Sequence, residues 1–286
     1  MTFSQKSIWL QDITWEQARD YAERDGVVLF PIGATEQHGP AAALGLDTYN
    51  AIHITEDVAM KHDLLIVPPL WYGDSSHHGA FPGTISLRSE TMIAVLKDVF
   101  RSLLRHGLRK IVVVNGHKMS NLPALTIAAK DIHEYEYPES IIAIADPWKI
   151  ARGIAPKLKG GTVEHHAGIL EVSQLLYKRP DLVQTEKLGN RNLSYESIFS
   201  SWGVYDLFGK PLDPEGNSID IVWNSSEQRK FVPTGQFSDN SDASHAIGEQ
   251  YHEYMVGVLG NFVNWLSEYE GPIGQRHCSK SDEECA

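Results

Sequence analysis

Four short stretches of this chain gather the residue types that bind divalent metals and move protons. They are Glu36-Gln37-His38 followed by Asp47, Asn115-Gly116-His117, Glu164-His165-His166 followed by Glu171, and Gly73-Asp74-Ser75-Ser76-His77-His78-Gly79. Carboxylate oxygens and imidazole nitrogens are hard and borderline ligands that suit Zn2+ or Mn2+. An imidazole beside such a centre is also the side chain most used to carry protons. Each stretch taken alone equally resembles a polar turn, a hydrogen-bonded histidine or a solvated helix start. The last is the weakest signal, a loop dense in small residues that could line a pocket.

The surrounding elements explain why stretches so far apart are expected to meet. Thr14-Trp15-Glu16-Gln17 has the form of a capping box, opening a helix towards Gly26. Val27 to Pro31 is a short apolar run closed by a breaker, hence a buried strand. A helix with Asp47 as its cap runs to about Lys61, and Leu64 to Val67 is a second strand stopped by Pro68-Pro69. Ser89 opens a helix to about His106, with Ile93, Leu96, Val99, Phe100, Leu103 and Leu104 at helical spacing. Lys110 to Val114 contains a β-branched run typical of a central parallel strand. Helices over about 121–134 and 166–177 flank a strand from Ile141 to Ala145, and a last helix spans about Ala243 to Glu268. This alternation implies a parallel sheet with helices on both faces. In such a sheet ligands bind outside the carboxyl ends of the strands. The four stretches sit just past strands or at helix starts, so one rim should receive them all.

The chain is expected to form one α/β domain over residues 1–272, with 184–237 as an irregular elaboration near the site and 273–286 as a disordered tail. Its 25 Lys and Arg against 37 Asp and Glu give a net charge of -12, which repels phosphate backbones and argues against nucleic-acid binding. No apolar run is long enough for a membrane span, and the amino terminus has no apolar signal core. Two cysteines, Cys278 and Cys285, are not a disulfide framework and fit a reducing compartment, so a cytoplasmic location is expected. No dinucleotide-binding G-x-G-x-x-G follows the first strand and no P-loop is present, which argues against nicotinamide and ATP chemistry.

On Pro31-Ile32-Gly33-Ala34-Thr35-Glu36-Gln37-His38-Gly39-Pro40 with Asp47, Phe81-Pro82-Gly83-Thr84, Asn115-Gly116-His117, His166 to Ser173, and Thr234 to Ser244, the chain resembles the creatininase (creatinine amidohydrolase) family over about residues 9–268. The resemblance implies a three-layer α/β/α sandwich with a central, mostly parallel sheet. It implies two divalent metal ions, Zn2+ and/or Mn2+ with Fe2+ possible, held by Glu36, His38, Asp47 and His117, with Asp47 bridging and His166 as the catalytic proton shuttle. A homo-oligomer, a hexamer built as a trimer of dimers, is also implied. Where the family's creatininase has a further Glu ligand, this chain has Met119, so either Glu171 completes the metal site or the second metal is held more weakly. Trp148 matches one substrate-packing tryptophan, the other falls on Thr162, and His165 replaces a carboxylate. His78, Ser76, Trp148 and His165 are the expected substrate-binding residues. The departures point away from creatinine itself.

The expected activity is therefore metal-dependent hydrolysis of a C–N bond in a small cyclic amide or related molecule. The alternatives are hydrolysis of a lactone or cyclic ketone, such as an oxidised inositol, on the same site, or a non-catalytic, metal-bound ligand sensor.

Overall fold

A computed structural model gives the fold and describes residues 7–161, 164–189 and 224–270. The elements up to the last strand are α1 (Trp15–Ala22), β1 (Val27–Ile32), α2 (Leu46–His62), β2 (Leu65–Ile66), α3 (Ser89–Arg105), β3 (Lys110–Asn115), α4 (Lys118–Tyr135) and β4 (Ile141–Ala145). Two single-turn helices follow, α5 (Pro147–Ile150) and α6 (Ala155–Leu158), then α7 (Ile169–Lys178), α8 (Ser225–Phe231) and α9 (His245–Glu268).

The four strands are parallel, in the order β2-β1-β3-β4. All six residues of β1 and all six of β3 are buried. Because side chains alternate across a strand, Val27, Leu29, Val112 and Val114 face one core with α2 and α9. Val28, Phe30, Ile111 and Val113 face another with α3 and α4. The result is the expected three-layer α/β/α arrangement. On α3, Met92, Leu96, Phe100, Leu103 and Leu104 are buried. A fully buried Leu or Phe such as Leu96 or Phe100 contributes about 1.5–3 kcal/mol.

The chain leaves β1 towards β2 on one side and returns to β3 on the other. The strand order therefore reverses between the carboxyl ends of β1 and β3, the place where open α/β sheets bind ligands. The loops carrying Glu36, His38 and His117 begin there.

Several boundaries differ from the sequence expectations. The capping box at Thr14 is present, but α1 stops at Ala22, with Asp25 in the left-handed region at φ 53° before Gly26. Asp47 does not cap α2. The cap is Gly45, and Asp47 lies buried in the first turn. Helix α7 begins at Ile169 rather than His166, because Ala167 adopts a left-handed φ of 57° and Gly168 is extended. Helix α4 begins at Lys118, a turn before the expected Asn121. Within 184–237, residues Ser225–Phe231 are helical, capped by Asn224 with Glu227 closing a capping box. Residues 190–223 and the expected tail, 273–286, lie outside the described residues.

Candidate metal centre

The loop after β1 turns back on itself. The Glu36 amide donates to the Leu44 carbonyl at 2.9 Å, and His38 bridges to Ala42. This folds Glu36 and His38 against the start of α2, where Asp47 stands. The end of β3 must then pass very close to the same helix. A Cβ at Gly116 would lie 2.0 Å from the Asp47 carbonyl oxygen, and one at Gly33 would lie 2.4 Å from the Thr48 nitrogen. Glycine at these two positions lets His117 arrive beside Asp47.

Asp47 presents one oxygen to each of two imidazoles. Its Oδ1 is 3.2 Å from His38 Nε2 and its Oδ2 is 3.0 Å from His117 Nδ1. The outer nitrogen of each ring donates to a backbone carbonyl, His38 Nδ1 to Glu36 at 3.1 Å and His117 Nε2 to Asp74 at 3.0 Å. Such a hydrogen bond fixes the tautomer and turns the inner lone pair towards a metal. Glu36 is completely buried. Its Oε2 lies 3.4 Å from His117 Nε2, while its Oε1 lies 3.6 Å from His78 Nε2 and 3.5 Å from His166 Nδ1.

Gln37, which the motif reading passed over, ties the far side together. Its Oε1 accepts from the Gly39 amide at 2.9 Å, which sets the amide's orientation. Its Nε2 then donates to the Gly235 carbonyl at 3.1 Å and to His78 Nδ1 at 2.9 Å. The Gln37 backbone carbonyl accepts from His166 Nε2 at 2.6 Å. His166 is thereby left with Nδ1 facing Glu36. Its ring is held well below the usual histidine pKa by burial and by the neighbouring His78 and His38, so it is a neutral imidazole with its inner lone pair available.

The donor set fits divalent cations. Glu36 Oε1, Glu36 Oε2 and Asp47 Oδ2 are buried without a hydrogen-bond partner. Buried carboxylates left in that state are costly unless charge compensates them. Burial pushes the Glu36 carboxyl upward, against the pull of His117. Burial would strip the proton from His38 and His117, but the carboxylate charges outweigh it, holding His38 up to about 9 and His117 up to about 10. Protons thus stand in for positive charge here. Glu36, His38 and Asp47 offer ligand atoms that all lie within 4.8 Å of one another, and so do His38, His166 and Glu171.

A pH dependence follows. Because the folded pKa values of His38 and His117 are raised, their stabilising contribution to the metal-free protein is complete below about 6.5 and is lost as pH rises through 9 to 10. A cation needs the lone pairs those protons occupy, so binding at pH 7 should expel about one to two protons per protein and tighten as pH rises. Calorimetric titrations in buffers of different ionisation enthalpy measure that release directly. Binding without proton release would mean that His38 and His117 are not ligands.

The centre opens into a cavity of about 500 Å3 lined by Glu36, Asp47, His78, His117, Trp148, His165, His166 and Glu171, together with Lys118, Glu164 and Phe237. His38 stands behind this wall, buried against Asp47. Ser76 is not among the lining residues. It is exposed, and its hydroxyl donates to Asp74 at 2.8 Å. The buried serine of that loop is Ser75, next to Glu36. Glu171 is the third residue of α7. One of its oxygens accepts from the Ala167 amide and the other pairs with Lys118. Sequence reasoning missed Gln37, Lys118 and the part played by Glu164. The directly adjacent His38, His117 and His165 were the available signal.

A family model described as creatinine amidohydrolase, of the creatininase family, matches residues 11–263. The chain is 28% identical over 224 residues to creatinine amidohydrolase from Pseudomonas putida, covering 73% of this chain and 83% of that protein. It is 30% identical over 183 residues to 3-dehydro-scyllo-inosose hydrolase from Thermotoga maritima, covering 63% and 58% of the two chains. It is 34% identical over 168 residues to a mycofactocin precursor peptide peptidase from Mycolicibacterium smegmatis, covering 57% and 62%. The crystal structure of a creatinine amidohydrolase (creatininase) superposes with a TM-score of 0.72 at 24% identity, covering 93% of this chain and 100% of that one. At that identity the likeness speaks for the fold.

Proposed function

This chain belongs to the creatininase family, and on that premise we propose that it is a divalent-metal-dependent hydrolase opening a C–N bond of a small cyclic amide or related compound. The observation that carries this reading is the convergence of Glu36, His38, Asp47 and His117 from two strand ends, with buried carboxylate oxygens left without hydrogen bonds. Those four residues would hold the two Zn2+ or Mn2+ ions between them, with Fe2+ possible, and Glu171 would complete the second site. Bound there, such ions supply an acidified water and polarise the scissile carbonyl.

His166 would carry the proton to the leaving nitrogen. The Gln37 carbonyl fixes its Nε2, so any proton it takes up and passes on at the centre moves through Nδ1. Trp148 lines the cavity together with His78 and His165, and its indole offers a flat apolar surface for a ring. Amide recognition fits a cavity that mixes such a surface with a few fixed polar groups.

A screen of cyclic amides, lactones, cyclic ketones and short peptides tests the reading, run with protein stripped by chelator and then reloaded with Zn2+ or Mn2+. Metal-restored hydrolysis of the amides supports it. Hydrolysis that persists in the stripped protein overturns it. The cyclic-ketone reading has its own support in the 30% identity to the inosose hydrolase, and the same screen separates the two.

The reading extends to the chain's setting. Residues 1–272 would act as one hydrolase domain in the cytoplasm, on a small-molecule substrate. Among the described residues no helix is long and apolar enough to cross a membrane. Self-association is supported by Tyr254, Val258, Phe262 and Trp265, an exposed stripe along α9.

A further inference from the structure

The two groups of ligand atoms that share His38 are not equivalent. The group of Glu36, His38 and Asp47 contains buried carboxylate oxygens with no hydrogen-bond partner. In the group of His38, His166 and Glu171, where His166 stands beside the ligands as the proton carrier, the carboxylate already has both oxygens engaged. Glu171 Oε1 accepts from the Ala167 amide, and Oε2 is ion-paired with the Lys118 ammonium. Lys118 directly follows His117 and opens α4. Its ammonium also donates to the His165 carbonyl and sits 5.0 Å over the Trp148 ring. A monovalent cation thus stands at the carboxylate of this second group.

A second unexplained feature lies on the same cavity wall. Glu164 is 7% exposed. Its Oε1 accepts from the Leu170 and Glu171 amides at 3.1 and 3.4 Å, while its Oε2 is buried with no hydrogen-bond partner. A Cβ at Gly168 would come within 2.5 Å of that free oxygen, so the backbone is shaped around this carboxylate. Lys118 lines the same cavity and donates to the carbonyl of His165, the residue after Glu164, and its charge acts on Glu164. A buried carboxylate oxygen without a partner, one residue before the carbonyl that already holds Lys118, is placed to receive that ammonium when it moves.

We propose that Lys118 is an internal cation that competes with the second metal for Glu171, and that Glu164 receives the displaced ammonium, so that two divalent cations load in order and with unequal affinity. The inference rests on the metal-centre reading above and adds an order to it. At limiting metal the protein would hold one ion beside Asp47 with Lys118 on Glu171. The second ion enters only as the lysine swings to Glu164. Two positive charges on one carboxylate oxygen repel, which makes the two occupants of Glu171 alternatives.

The experiment is a titration of the stripped protein with Mn2+, followed by calorimetry and by Mn2+ electron spin resonance, with circular dichroism to confirm folding. The parent chain should bind two Mn2+ in two steps at least about 10-fold apart. Lys118→Met keeps the length of the side chain without the charge and should tighten the second step by about 10-fold or more, leaving the first nearly unchanged. Structural damage would not tighten binding. Lys118→Arg, retaining the cation, should keep the steps separate. Glu164→Gln should weaken the second step. Two equal steps in the parent, or a second step that Lys118→Met leaves unchanged or abolishes, overturn the competition. An unchanged second step in Glu164→Gln overturns the receiving role. Absence of any Mn2+ binding by the parent would overturn the metal-centre reading itself.

Discussion

An Asp47→Asn protein should retain less than half of its divalent metal and turn over substrate slower by a factor on the order of 10³. The substitution keeps the size of the side chain, replaces one acceptor oxygen by a donor amide and removes its charge. That charge has two clients, since Oδ1 faces His38 at 3.2 Å and Oδ2 faces His117 at 3.0 Å. In the metal-free protein the change removes the charge that holds protons on both buried imidazoles against burial. Breaking a buried ion pair in this way costs about 3–5 kcal/mol. Metal analysis, steady-state kinetics and denaturant unfolding of the stripped protein check the three parts. An Asp47→Asn protein that keeps both its metal and its rate would remove Asp47 from the centre.

His166→Ala should behave differently. Its expected loss is about 10² to 10⁴-fold in kcat, the usual worth of a positioned proton carrier, with the metal content retained. The reason lies in how the ring is held. Nε2 is committed to the Gln37 carbonyl at 2.6 Å, the ring is neutral, and Nδ1 stands 3.5 Å from Glu36 Oε1. A group in that position can pass a proton without being needed to retain a cation, because Glu36, His38, Asp47 and His117 hold the centre from the other side. Metal analysis beside kcat decides between the roles. Parallel loss of metal and rate would make His166 a ligand.

The elements that position the site were readable where local chemistry is strong. The apolar runs of β1 and β3, the proline stop after β2, the amphipathic α3 and the capping box at Thr14 each have a cause within a few residues of themselves. Motifs placed after strands could be sent to one rim by topology alone, which is why Glu36, Asp47 and His117 were nameable together. Tertiary constraint hid the rest. Asp47 has the composition of a cap, but Gly45 takes that place and the carboxylate is drawn into the centre. His166 looked like a helix start, but a left-handed Ala167 delays α7 by a turn and points the ring inward. Lys118 follows a ligand histidine, and a lone lysine at a helix start reads as surface; only the fold reveals Glu171 and Trp148 around it. Gln37 stood between two conspicuous residues, and its three-way hydrogen bonding depends on Gly39, His78 and Gly235 arriving from separate loops.

The most direct test of the central claim is crystallographic. Crystals of the chain grown with Mn2+ or Zn2+, measured on both sides of the metal's absorption edge, yield an anomalous difference map that locates the ions without reference to activity. The account predicts a strong peak within bonding distance, about 2.0–2.2 Å, of Asp47 and of His38 or His117. A map with its peaks elsewhere, and none between these side chains at saturating metal, would contradict it.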